Sequence, residues 1–171
     1  MRDIVPRGLR HRTLVRVRDL LRDTPGITVK ATAEILALTP AAARMHLDAL
    51  ATAGAARTLK HDDMTRYYAV PGPSDAEATV IAVVREGSIR RILQALDEAG
   101  PAHKDSLMRQ AECSLNTLRR ATSRTRSLGL TDTVEVAASG DTLHRLTEMG
   151  KETLRRYPQP ALTSLDAGDD P

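Results

Sequence analysis

Laid over itself at an offset of 75 residues, the chain brings residues 38–54 onto residues 113–129. A period of that length means one small supersecondary unit used twice, which confines the fold to two copies of a module of about 75 residues. In each copy an amphipathic helix comes first. Residues 11–22 align Leu14, Val17, Leu20 and Leu21 on one stripe, and residues 88–98 do the same with Ile89, Ile92, Leu93 and Leu96. Each run meets a breaker, Pro25-Gly26 or Gly100-Pro101. A short second helix is expected over 30–36 and 104–111. Thr39-Pro40 and Ser114-Leu115 then open a third helix, where the hydroxyl accepts from free N–H groups of the first turn and Pro40 suits the first helical position. Gly54 and Gly129 supply the left-handed residue that ends it.

Beyond these glycines both copies read as a hairpin: 56–61 with 66–70 about a turn at Asp62-Asp63, and 131–138 with 142–146 about a turn at 139–141. Three helices and a two-stranded wing make a winged helix-turn-helix. The expected fold class is therefore mainly α with small β wings (α+β), in two tandem winged helix-turn-helix domains. They span 1–70 and 80–157, with a linker over 71–79 and a disordered acidic tail over 158–171. The stretch 71–75, Pro-Gly-Pro-Ser-Asp, is a linker by composition. Residues 76–84 are mostly apolar and read as a helix that opens the second domain or packs between the two, with a buried strand as the alternative. Thr147 caps a last helix that runs to about Arg156.

Three stretches resemble the winged-helix transcriptional regulators of bacteria and archaea. Residues 38–54, with Ala41-Ala42-Ala43, then His46-Leu47, Leu50 and Gly54, are similar to the arsenical-repressor (ArsR) pattern. Arg66-Tyr67-Tyr68-Ala69-Val70 is similar to the returning wing strand of that group. Leu146-Thr147-Glu148-Met149-Gly150-Lys151-Glu152 resembles the Leu-Thr-x-x-Gly-Arg-Glu signature of multiple-antibiotic-resistance (MarR) and phenolic-acid (PadR) regulators. The second copy departs from the first at Thr122 and Thr125, which replace Leu47 and Leu50, so looser packing or a differently tilted third helix is expected there. The resemblance implies transcriptional regulation, although a fold does not by itself establish a function.

Composition narrows the partner. The chain has no Phe, no Trp and three Tyr, which disfavours modules that stack single-stranded bases on aromatic rings. The net charge of +3 is uneven: +5 over 1–70, +1 over 71–157 and −3 in the tail. A basic body suits a polyanion. The single cysteine, Cys113, cannot form an internal disulfide and fits a reducing compartment. No signal-peptide core and no run of eighteen apolar residues is present, so a soluble, cytoplasmic, nucleoid-associated protein without a membrane role is expected.

The expected partner is double-stranded DNA. In the third helix of the second copy Asn116 could bond adenine bidentately, Arg119 and Arg120 could reach guanine or phosphate, and Ser123, Arg124 and Arg126 extend the polar face. Pro40, Ala41, Ala42, Arg44 and Met45 occupy the matching places in the first, where small residues allow close approach but make few hydrogen bonds. Arg57, Lys60, His61 and Arg66 on the first wing are expected near the backbone or the minor groove; Arg66 could instead pair with Asp62 or Asp63. With both domains engaged, about six to ten phosphate contacts and a loss of about a thousandfold in affinity between roughly 50 and 200 mM salt are expected. A homodimer would seek inverted repeats, a monomer an asymmetric site.

Other chemistries find little footing. One Cys and five scattered His give no ligand set at metal spacing, and no cofactor is expected. His46 reads as a half-buried helix residue and Cys113 as a small apolar side chain. His103, Asp105 and Ser106 read as capping groups at a helix start rather than a triad, and no phosphate-cradling glycine loop is present, so the chain is not expected to be an enzyme. The rival readings are a protein-binding tandem winged-helix scaffold resembling ScpB, and a replication initiator or chromatin-associated DNA-binding protein. No effector ligand can be named from the residues.

Overall fold

The computed structural model describes residues 7–137 and 141–158. Apart from Pro158, the expected acidic tail lies outside them, as do Ser139 and Gly140 of the expected second wing turn. The described chain runs α1 (Arg7–Asp23), α2 (Val29–Leu36), α3 (Pro40–Thr52), β1 (Ala56–His61), β2 (Met64–Ala69), α4 (Asp75–Val84), α5 (Gly87–Ala99), α6 (Lys104–Gln110), α7 (Leu115–Ser127), β3 (Thr131–Glu135), β4 (Thr142–Leu146) and α8 (Glu148–Arg156). It is mainly helical with two small antiparallel sheets, and two compact units divide between Thr79 and Val80.

In the first unit, α1 turns Val17 and Leu21 inward onto Leu47 and Leu50 of α3, with Ile27, Ala56 and Tyr67 completing the core. Burying an aliphatic side chain of this size stabilises by about 1.5–3 kcal/mol. Thr39 Oγ1 accepts from Ala42 N at 3.2 Å, Pro40 follows at the first helical position, and Gly54 takes φ +71° just beyond the helix end. The wing pairs Ala56 with Ala69 through to His61 with Met64. One further antiparallel bridge, Ile27 to Tyr67, ties the segment after α1 to β2.

The second unit repeats this plan. Ile89, Ile92, Leu93 and Leu96 of α5 meet Leu107, Leu118, Leu130, Leu146 and Leu154. Ser114 Oγ accepts from Thr117 N at 3.2 Å, and Gly129 takes φ +70°. The wing pairs Thr131 with Leu146 through to Glu135 with Thr142, and Ala102 bridges His144 as Ile27 bridges Tyr67. At the two positions of α7 where looser packing or a different tilt is expected, the side chains stay buried. Thr122 and Thr125 are buried like the leucines they replace, because each hydroxyl is satisfied within the helix: Thr122 donates to Leu118 O and Thr125 to Ala121 O, both at 2.9 Å. The Thr125 and Thr131 hydroxyls also meet at 2.7 Å.

Residues 76–84 are helical, not a strand, and α4 begins inside the expected 71–79 linker. Ser74 and Glu77 explain the start: Ser74 N donates to Glu77 Oε2 at 2.9 Å and Glu77 N to Ser74 Oγ at 3.3 Å, a reciprocal capping box. At α6, His103 holds the N-cap position but makes no side-chain capping bond, so its expected capping role is corrected.

The Leu-Thr-x-x-Gly stretch is explained by packing. Thr147 Oγ1 accepts from Gly150 N at 3.0 Å to cap α8 and donates to Gly129 O at 2.6 Å. A Cβ on Gly150 would lie 2.2 Å from Leu130 O, so only glycine lets α8 sit this close to the segment between α7 and the wing.

Candidate nucleic-acid interface

Spacings of three and four residues place Asn116, Arg119, Arg120, Ser123 and Arg126 on the outward side of α7, and all five are exposed. The opposite side is occupied by Leu118, Ala121, Thr122 and Thr125, which fixes the helix's rotation about its axis. Arg119, Ser123, Arg126 and Ser127, with the edge of Thr122, line a shallow concavity on this face. Two of the helix's arginines, Arg124 and Arg126, fall in its last turn, where the helix dipole favours cations.

Arg124 differs from its neighbours. It is half-buried and donates to Glu86 Oε2 at 2.9 Å, which joins the end of α7 to the residue just before α5. Arg126 extends its field over the second wing. The Arg145 guanidinium, bonded to both carboxylate oxygens of Asp132 at 2.7 and 2.8 Å, holds that carboxyl below the usual carboxylate range, with Arg126 a smaller influence in the same direction. Burial first, and then Arg126, pushes His144 below the ordinary histidine value. This face can therefore present a cationic and hydroxyl-bearing surface to an oxyanion, and an amide and guanidinium groups to base edges.

The first unit presents something else. Pro40, Ala41, Arg44 and Met45 of α3 are exposed and Ala42 is half-buried. Among them stands Asp48, which no sequence argument had singled out. Its Oδ1 accepts from Tyr67 Oη at 2.8 Å. Burial, and then the hydrogen bond to Asp48, raise the Tyr67 hydroxyl above the ordinary tyrosine value, while the nearby Arg44 acts in the opposite direction. The outward cation Arg44 is thus followed one turn later by an outward anion.

The first wing departs from expectation at Arg66. Arg66 was expected near DNA but is buried, and its Nη1 donates to Gly26 O at 2.9 Å, because β2 turns this side chain under the segment after α1. Arg57 is half-buried: it pairs with the Asp75 carboxylate, donates to the Pro73 carbonyl and lies 5.7 Å from the Tyr68 ring centre. Its guanidinium fastens the segment after the wing and the start of α4. Of the four wing residues, Lys60 is exposed and His61 half-buried. The structure thus brings Asn116, Arg119, Arg120, Ser123 and Arg126 together on one face of α7, buries Arg66, and leaves Arg57 partly exposed but paired. Arg145 on the second wing was missed, and its pairing with Asp132 across the hairpin was not readable before the register was known.

Among the described residues no group of three or more metal-ligating side chains converges, and no helix is long and apolar enough to cross a membrane.

No protein-family model matches the chain, and no curated protein matches it. Among solved structures, a conserved hypothetical protein from Chlorobium tepidum is similar at 17% identity and a TM-score of 0.35, covering 88% of this chain and 99% of that one. ScpB from Mycobacterium tuberculosis is similar at 16% identity and a TM-score of 0.34, covering 88% and 97%. The DIP2311 protein from Corynebacterium diphtheriae is similar at 20% identity and a TM-score of 0.30, covering 79% of this chain and 26% of that one. The winged-helix assignment rests on the chain's own elements, strand registers and caps.

Proposed function

We propose that this chain binds double-stranded DNA, with α7 as the helix that enters the major groove, and that it serves as a transcriptional regulator on the nucleoid. The observation that carries the binding is the outward face of α7, where Asn116, Arg119, Arg120, Ser123 and Arg126 stand together with no acidic residue on the helix. A helix of this kind needs polar groups near its start for base edges and cations further along for phosphates, and α7 has both. The regulatory role is supported by the resemblance of the Leu38–Gly54 and Leu146–Glu152 stretches to regulator families.

Fluorescence anisotropy of short duplexes tests the binding. Arg119→Ala/Arg120→Ala should weaken the complex at least tenfold, and affinity should fall as salt rises. A folded protein that shows no binding at low salt refutes it. Footprints on genomic DNA separate the roles: discrete promoter sites mark a regulator, origin repeats an initiator, and broad coverage a chromatin protein. A second reading, a protein-binding scaffold, is favoured by α3, whose outward face is small, neutral overall and carries the exposed Met45. Absence of DNA binding together with capture of a defined protein partner would establish it.

A further inference from the structure

The third helices of the two units are one structural object with two different surfaces. Each is 13 residues long, and they stand 75 residues apart. Buried positions coincide: Ala43, His46, Leu47 and Leu50 in α3 match Leu118, Ala121, Thr122 and Thr125 in α7. The outward residues do not. Ala41, Met45 and Asp48 stand where α7 has Asn116, Arg120 and Ser123, and only the cation Arg44, matching Arg119, is common to both.

We infer that Asp48, pinned on the outward face of α3 by the Tyr67 hydroxyl, closes the first unit to duplex DNA, so that the chain reads DNA through the second unit alone. This deepens the DNA-binding reading and rests on it. A carboxylate on a helix laid into a groove faces two rows of phosphates, and like charges brought together there oppose docking. Asp48 cannot swing away without giving up the 2.8 Å bond from a tyrosine that is only 2% exposed. The first wing adds little cationic grip, because Arg66 is buried with its guanidinium donating to Gly26 O, and the half-buried Arg57 is already paired with the surface carboxylate of Asp75 and the Pro73 carbonyl. The first unit therefore keeps the shape of a DNA-reading module while its groove-facing charges cancel.

The experiment uses the full chain with α7 silenced by Arg119→Ala/Arg120→Ala/Arg126→Ala. Into that background the outward residues of α7 are grafted onto α3 as Ala41→Asn/Met45→Arg/Asp48→Ser, all at exposed positions. The silenced chain should lose duplex binding. The graft should restore it to within about tenfold of wild type near 100 mM salt, and the log–log salt slope should steepen by about one, for the phosphate contact that Met45→Arg adds. Should the triple graft unfold, Met45→Arg/Asp48→Asn, which keeps an acceptor for Tyr67, replaces it. The inference is overturned if the silenced chain still binds and Arg44→Ala/Lys60→Ala abolishes that binding, or if the folded graft restores nothing. If wild type itself fails to bind duplex DNA, the DNA-binding reading fails; in either background a gain by Met45→Arg/Asp48→Asn well beyond that of Met45→Arg alone upholds the role of Asp48, and an equal gain by the two, or none, overturns it.

Discussion

Replacing Gly150 by alanine tests the packing logic of the second unit, because the same substitution at Gly87 should have the opposite sign. A Cβ at position 150 would stand 2.2 Å from Leu130 O and 2.8 Å from Leu146 Cδ1, whereas contacts under 3.0 Å are essentially never adopted. The obstructing oxygen is backbone and is already held, since it accepts from Thr147 N at 3.0 Å. Helix α8 must therefore retreat by close to an ångström, loosening Leu154 in the core. Overpacking of this kind costs about 1–3 kcal/mol, and the better helix propensity of alanine returns about 1 kcal/mol. Because the obstacle is backbone, a net loss of about 1–2 kcal/mol is expected, or roughly 5–15 °C in the melting temperature of a unit this size. At Gly87, by contrast, a Cβ meets nothing within 4 Å, so alanine should stabilise by up to about 1 kcal/mol through the lower entropy of the unfolded chain. Thermal melts followed by circular dichroism read both. If Gly150→Ala melts at or above wild type, or both variants shift the same way, the close approach of α8 is not what holds this junction.

The salt dependence of duplex binding is expected to be moderate. Three exposed arginines on α7, with Arg124 partly committed to Glu86, suggest about three to four phosphate contacts and a loss of roughly 40–150-fold between about 50 and 200 mM salt, so a thousandfold loss would show the first unit engaged. Arg66→Ala should lower the stability of the first unit by about 1–3 kcal/mol, since Gly26 O loses a buried donor, yet leave DNA affinity unchanged; a selective loss of affinity would return Arg66 to the interface. His144 is held below the ordinary value by burial and Arg126, so its contribution to stability is present above the unfolded value of about 6.5 and is lost as pH falls through the lower folded value. NMR titration of its ring protons checks this, and a value at or above about 6.5 refutes it. Tyr67 is raised by burial and by Asp48, so its contribution is present below about pH 10 and is lost as pH rises through the folded value. Asp48→Asn should bring its phenolate absorbance in at lower pH.

Much of the fold was legible because it depends on local patterns. The stripes of Leu14, Val17 and Leu21 and of Ile89, Ile92 and Leu96, the hydroxyls of Thr39 and Ser114, and Gly54 and Gly129 each act within a few residues. The Ser74-Asp75-Ala76-Glu77 capping box was equally local and would have settled the helical reading of 76–84. The candidate site was legible in part. Counting arginines on α7 locates its face, since helical spacing alone brings those residues together. Counting cations on the first wing misleads, because the fate of Arg57 depends on Asp75 and Pro73, and that of Arg66 on Gly26, 40 residues away in the chain.

What this sequence determined by itself was the duplicated plan of helices, caps and hairpins, since periodicity, capping hydroxyls and left-handed glycines act over a turn or two of chain. Only the tertiary structure decided which charged groups face outward. Partners far apart in sequence decide that: Tyr67 reaches back 19 residues to hold Asp48 on α3, and the fold buries Arg66 and ties Arg57 to Asp75 while leaving Arg119, Arg120 and Arg126 exposed.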